Sequence, residues 1–445
     1  MGEPWCLHIP AAFRIFPPAF HYRPHFLAQH CLNLFVKNIS QLVTVASGGK
    51  PSKKGREMRD LRIVENAGVL CSKGKIEWVG PMTQWVQSLP ADFAELDATG
   101  KVVVPGFVDS HTHTMFAGDR AHEFALRSQG ATYQQIAEEG GGILNTIRNV
   151  RAASKKELKR KTGRFLTDMM RHGTTTVEIK SGYGLDLDSE IKMMEAIHEL
   201  AKEEVMTVIP TFLGAHAVPP EYKGNPAAYV DVIVNEMIPY IGKKQLARFC
   251  DVFCEKGYFD LEDSERILTE GKRVGMEPKV HAEELTPLGG ARLAAKMGAV
   301  SADHLEHISD DGIKSMAEAG VVATLLPGVS FFLNHGYAPA RKLIDSDVTV
   351  AIASDFNPGS CMSYSMPMMM TIACTQMNMT PEEALAAATL NGAAALTMSS
   401  TVGSIEVGKQ ADMVVADIPD YKFLAYHFGS NHIVTTIKNG TILEL

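Results

Sequence analysis

His111 and His113, in the run VVPGFVDSHTH, stand two residues apart where an apolar stretch gives way to polar residues. Residues i and i+2 of an extended chain share a face, so both imidazoles can reach one ion. Alone, an H-x-H pair is a weak signal. Four more residues of suitable type close later apolar runs: His216 after VIPTFLGA, His281 in EPKVHAEE, His304 in AVSADHLEH and Asp355 in TVAIASDFNPG. Imidazoles with a carboxylate suit zinc or iron. Such an ion lowers the pKa of a coordinated water and supplies hydroxide near neutral pH, which is the chemistry of hydrolysis. A second ion needs a bridging ligand. The fourth run, CDVFCEKG, closes on Cys254 and Glu255 with no lysine, and Lys180 belongs to the second run, so one ion is expected.

These residues need a scaffold that gathers the ends of several strands. Eight short apolar runs supply one: GFVDSHTH, TTTVEIKSG, VMTVIPTFLGAH, FCDVFCEKG, EPKVHAEE, AVSADHLEH, VVATLLPG and TVAIASDFNPG. Amphipathic stretches such as DSERILTEGKRVG and LGGARLAAKMG separate them. Strands alternating with helices point to an α/β fold, a closed (β/α)8 TIM barrel, whose chemistry sits at the strand ends. Both ends of the chain read as β. NLFVKNISQLVTV and the runs after it precede the barrel, and GSIEVGKQADMVVAD and HIVTTIKNGTILEL follow it, with a hairpin signal at Asn439-Gly440. Thr380, Pro381 and Glu383 form the opening signature of a helix. The expected division is an extension at 1–32, a first β-sandwich part at 33–105, the barrel at 106–385, and a helix with the second β-sandwich part at 386–445. The small sandwich is thus built from both termini.

The 445 residues carry a formal charge of -8, with no basic excess of the kind a nucleic-acid binder shows. The basic cluster Lys155, Lys156, Lys159, Arg160, Lys161 and Arg164 suits the solvated face of a helix. Seven scattered cysteines, an odd number without C-x-x-C, argue for reduced thiols and a cytoplasmic setting. No apolar run approaches the ~20 residues of a membrane helix. The first 30 residues are rich in Pro, Phe and His and lack the apolar core of a signal peptide, so they read as a poorly ordered extension.

VVPGFVDSHTH, the strand-end histidines and the closing GSIEVGKQADMVV resemble the amidohydrolase superfamily. Finer matches resemble one group within it, the imidazolonepropionase family: EFALRSQGATY, EEGGGI, TTTVEIKSGYGL, FLGAHAVPPEY, HAEELTPLGGARLA, SADHL and SDFNPGS. The resemblance covers roughly residues 33–445 and leaves out 1–32. It implies hydrolysis of the lactam of 4-imidazolone-5-propanoate to N-formimidoyl-L-glutamate in histidine degradation, by a metal-bound hydroxide attacking the ring carbonyl. It implies one zinc or iron ion per subunit, held by His111, His113, His281 and Asp355, and a homodimer. The small-molecule substrate would meet Arg120, Tyr183, His216, Glu284, Asn357, Gly359 and Ser360.

Glu284, three residues past His281, is the first choice of general base, with Asp355 second. His304 is the candidate to meet charge on the carbonyl oxygen. The fork of Arg120 suits a propionate. Tyr183 lies between Gly182 and Gly184, which leave its backbone free to bring the phenol over a ligand, and the GGG run at 140–142 reads equally as a lid or a turn. A related aminohydrolase acting on a nucleobase or another cyclic amide would share the metal residues, with no evident need for Arg120 and KSGYG. A non-catalytic scaffold would have lost a ligand, and all four are present.

Overall fold

A computed structural model of the chain describes residues 33–444 except 87, 91, 131–134 and 136–140. The extension at 1–32, with Cys6 and Cys31, and Gly140 of the GGG run lie outside the described residues. The N-terminal β segment forms β1 (Asn33–Val43), β2 (Ile63–Ser72), β3 (Lys75–Pro81), β4 (Ala94–Asp97) and β5 (Val102–Pro105). The barrel strands are β6 (Phe107–Asp109), β7 (Thr174–Lys180), β8 (Thr207–Ala215), β9 (Phe249–Cys254), β10 (Glu277–Ala282), β11 (Ser301–His304), β12 (Val322–Leu325) and β13 (Val350–Ile352). The C-terminal segment gives β14 (Met413–Ala416), β15 (Ile433–Lys438) and β16 (Thr441–Ile442). The eight barrel strands are the eight runs read from the sequence.

The two ends of the chain meet in one connected eight-stranded sheet, ordered β16-β15-β14-β5-β1-β2-β3 with β4 beside β1. The seam is antiparallel, Val102 to Pro105 against Ala416 to Met413. Its own apolar core includes Leu34, Val36, Val69, Val103, Met413 and Ile437. Asn439 and Gly440 both take positive φ in the β15–β16 hairpin, as the Asn-Gly pair requires. The Pro-Gly break that separates β5 from β6 is the passage from sheet to barrel. Gly106 packs so closely on Thr175 that a Cβ there would collide with its side chain.

All eight barrel strands are parallel and run in order from β6 to β13. They are covered on both faces, so β7, TTTVEIK, is buried at every position. No ladder joins β13 to β6. The ring is closed by polar bonds just past the strands. Ser354 donates its N–H and its hydroxyl to the Asp109 carboxylate at 2.9 and 2.5 Å. Asp355 N–H donates to His111 O, and His113 N–H to Phe356 O, both at 3.0 Å. The histidine pair therefore lies beyond the three-residue β6 and is kept extended by this bridge.

The helix Lys155–Arg171 starts with a capping box, Ser154 with Glu157. Lys155 and Lys159 pair with Glu195, Glu199 and Glu203 of the neighbouring helix Leu187–Glu203. Lys161 departs from the solvated face that the sequence suggests. It packs 4.1 Å above the Phe116 ring and donates to Gly118 O. The box expected at Thr380 and Glu383 is present. The five described cysteines are free. No helix among the described residues is long and apolar enough to cross a membrane.

Candidate active site

At the C-terminal end of the barrel the strand-end histidines converge. His111 and His113 follow β6, His281 is the fifth residue of β10, His304 closes β11, and Asp355 lies three residues past β13. Ligand atoms of His111, His113 and His281 lie within 4.8 Å of one another, as do those of His111, His304 and Asp355. His113 Nε2 is 3.5 Å from His281 Nε2 and 3.4 Å from Asp355 Oδ1. His111 Nε2 stands 3.5 Å from the same oxygen. Burial, and then the positive charge of Lys180, hold His111 well below the usual imidazole range. Burial and the neighbouring His216 do the same for His113. Both are neutral, with a lone pair free to bind.

The donor set fits a divalent ion. His111 Nε2 and Asp355 Oδ1 are fully buried, yet no protein group satisfies them among the described residues. Buried polar atoms without partners are rare and costly unless something else meets them. Three imidazoles and a carboxylate are borderline ligands of the kind zinc and iron take. The far nitrogens of two histidines are backed by carboxylates, His111 Nδ1 by Asp303 at 2.7 Å and His281 Nδ1 by Asp251 at 3.0 Å. That is the support by which proteins orient metal-binding imidazoles.

A cavity of about 340 Å3 opens above the cluster. Every site residue anticipated from the sequence lines it except His111, which lies beneath. Glu284 and His304 face one another on the wall, Oε2 to Nε2 at 3.6 Å. Burial, and then the charge of Glu255, push the Glu284 carboxyl up to about 7. Burial and the nearby His281 hold His304 neutral. Glu255 accepts from Leu285 N–H at 2.9 Å and from the Thr286 hydroxyl, so it fixes the turn that carries Glu284. Backbone strain is present here. Glu283, His304, Leu305 and Asp355 all take positive φ, between 47 and 80°. Non-glycine residues in that region are uncommon and cluster at functional sites.

Two arginines also line the cavity. Arg120 donates through Nε to Glu123 at 2.7 Å. Its guanidinium lies against Gly359, where a Cβ would overlap Nη1. Arg127, two helical turns on, donates to Gly359 O at 3.1 Å and lies over the Phe332 ring. Asn357 spends its side chain on the loop itself. It accepts from Gly359 and Ser360 N–H, both at 2.8 Å, and donates to Asp355 O and Ser360 Oγ, both at 2.7 Å. Tyr183 and His216 form a third wall. His216 stacks on His113 at 4.9 Å between centroids and contacts Gly182 O through Nδ1 at 3.0 Å. The Tyr183 turn is tied down by the buried carboxylate of Glu190, which accepts from Gly182, Gly184 and Leu185 N–H. Gly182 has φ 105°, and a side chain there would press on Leu213 O and His216.

The sequence reading missed Arg127, Phe253 and Tyr258 in the cavity wall and Asp251 and Asp303 beneath it, and weighed Lys180 only as a bridge between two ions. Arg127 could have been found from its seven-residue spacing to Arg120, which returns to the same helix face. The buried carboxylates carry no local signal, because only the strand register brings them under the histidines.

Residues 102–443 match the model of the amidohydrolase family. Imidazolonepropionase of Porphyromonas gingivalis is 48% identical over 416 residues, 93% of this chain and 98% of its own. Imidazolonepropionase of Parabacteroides distasonis is 49% identical over 410 residues, 92% and 98% of the two chains. Among solved structures, a zinc-bound adenosine deaminase from Xanthomonas campestris covers 92% of both chains at TM-score 0.68 and 20% identity. E. coli guanine deaminase covers 92% of this chain and 98% of its own at TM-score 0.69 and 18% identity. At such identities the two deaminases share the fold. The long, close match to the curated relatives goes further: the chain belongs to the amidohydrolase family and, within it, to the imidazolonepropionases.

Proposed function

We propose that the chain hydrolyses 4-imidazolone-5-propanoate to N-formimidoyl-L-glutamate, a step of histidine degradation, with one zinc or iron ion per chain. The observation that carries this reading is a single cavity lined by both a candidate metal cluster and a guanidinium. Buried imidazoles with Asp355 and the Arg120 guanidinium line one and the same cavity, in a chain 48–49% identical to imidazolonepropionases. The reading includes a cytoplasmic setting and, as the resemblance in the sequence implies, a homodimer.

The substrate is a five-membered lactam bearing a propionate. Arg120 keeps its terminal N–H groups for that carboxylate, since Glu123 occupies Nε. Tyr183 and His216 flank the ring, and docking at Arg120 turns its carbonyl toward Glu284 and His304. An ion held by His111, His113, His281 and Asp355 supplies Lewis-acid activation of water near neutral pH. Glu284 takes a proton from the water as its oxygen bonds to the ring carbonyl carbon. The carbonyl oxygen becomes an oxyanion, and the His304 Nε2–H stands ready to donate to it. The C–N bond then breaks. Glu284 returns its proton to the departing nitrogen, and the new carboxyl group ionises. Asp355 is the second candidate for the base, since one oxygen can swing toward the water.

The test is a product assay on purified chain. Chelation should abolish formation of N-formimidoyl-L-glutamate, and zinc or iron(II) should restore it. Ammonia released with the ring intact would point to an aminohydrolase instead. No turnover by the fully loaded protein would overturn the reading.

A further inference from the structure

We propose that Lys180 sets the affinity of the metal centre, by holding Asp251 and Asp303 against the outer nitrogens of two of its histidines. This rests on the metal reading of the cluster and adds a residue that touches neither ion nor substrate. Lys180 is on β7, the second barrel strand, Asp251 on β9, the fourth, and Asp303 on β11, the sixth. Alternate strands of such a barrel send their side chains into a common interior layer. Here that layer lies directly behind the histidines. The Lys180 ammonium is 2.8 Å from Asp251 Oδ2 and 3.7 Å from Asp303 Oδ2. Those same two oxygens face His281 Nδ1 at 3.0 Å and His111 Nδ1 at 2.7 Å. One positive charge thus stands behind both carboxylate–histidine pairs, and all five side chains are almost wholly buried.

The consequence follows from position and charge. Two carboxylates crowded beneath a cluster of imidazoles repel each other across a dry interior, where such forces are strong. An ammonium shared between them draws both oxygens into place and costs no second ion. Lys279 shares the contact with Asp303, at the same 3.7 Å, but not the contact with Asp251. Its ammonium is 2.9 Å from Glu178 and 3.0 Å from Ser110 O, and approaches only Asp303, at 3.7 Å. Lys180 alone of the two meets the partner of His281. Glu178, 2.8 Å from Lys180, anchors the ammonium from the other side.

The experiment measures zinc affinity directly, by competition with a chromophoric chelator on protein stripped of metal, with circular dichroism to report the fold. Loss of an outer partner of a metal ligand costs about 10–100-fold in affinity, and Lys180→Met should weaken zinc binding by that order. In an Asp251→Asn, Asp303→Asn background the same change should cost less than about 3-fold, because the groups it acts through are gone. The cobalt-substituted protein should show an altered ligand-field spectrum in Lys180→Met. Should Lys180→Met fail to fold, the Lys180→Met, Asp251→Asn pair removes both partners of the close contact. Compared with Asp251→Asn alone, it should weaken zinc binding by no more than about 3-fold, because Lys279 stands as close to Asp303 as Lys180 does. Zinc binding as tight as the parent's in Lys180→Met, or an equal loss in the Asn background, overturns the proposal alone. A parent chain that binds no zinc or iron overturns the metal reading and the proposal with it.

Discussion

In the proposed reaction Glu284 and Arg120 divide the chemistry between proton transfer and recognition. Glu284→Gln keeps the shape of the side chain and removes the acceptor, so kcat should fall by about 10²–10⁴-fold with metal content unchanged. A kcat within a few-fold of the parent would pass the role to Asp355. The base acts as a carboxylate, so protonation switches it off and activity falls on the acid side. Its carboxyl is pushed up to about 7 in the protein alone, chiefly by burial. A cation at the adjacent cluster favours the charged form, so the acid limb of the pH–rate profile should lie at or below about 7 and vanish in Glu284→Gln. Charged hydrogen bonds contribute roughly 1.5–3 kcal/mol each. Arg120→Ala should therefore lower kcat/KM by at least about 10-fold, with Arg120→Lys between, and the loss should shrink for an analogue without the propionate. An equal loss on both substrates would place the action of Arg120 on the ring or the fold. Residues that close an apolar run, such as His281 and His304, were legible in the sequence because strand ends are where barrels do chemistry. Asp251 and Asp303 were not, because their partners are 30 and 192 residues away and only the register joins them.

At the scale of elements, the site is a set of strained or pinned turns on rigid strands. Gly359 leaves room for the Arg120 guanidinium, so Gly359→Ala should push that arginine aside. KM should rise about as far as in Arg120→Ala while metal content stays at the parent value, and an unchanged KM would show the loop yielding instead. Glu190 holds the Tyr183 turn through three backbone N–H groups. Glu190→Ala leaves buried donors unpaired, which costs about 1–3 kcal/mol each before the turn relaxes. Denaturant titration should show that loss, with KM raised as Tyr183 loses its place. Strands and helix caps were readable because their signals are local: apolar runs, Thr380 with Glu383, Asn439 with Gly440. The positive φ of His304 and Asp355 was not, since neither residue type announces it.

The whole molecule is a barrel whose ring is completed by loops and whose two chain ends share one sheet. That both ends are β was plain from their alternation. Which strands form the seam, β5 with β14, depends on where the barrel returns the chain. The loops that complete the ring carry His111, His113 and Asp355, so an ion bound there would also tie β6 to β13. A ligand that binds only the folded state stabilises it by mass action. The melting temperature should rise with free zinc or iron, and His111→Ala should abolish the rise. In the proposed reaction, water attacks the ring carbonyl and opens the lactam. Turnover in ¹⁸O-labelled water, read by mass spectrometry, tests it most directly. One ¹⁸O should enter each N-formimidoyl-L-glutamate, in the carboxylate formed from the ring carbonyl. Label in a formyl group, or in a ring product released with ammonia, would contradict it.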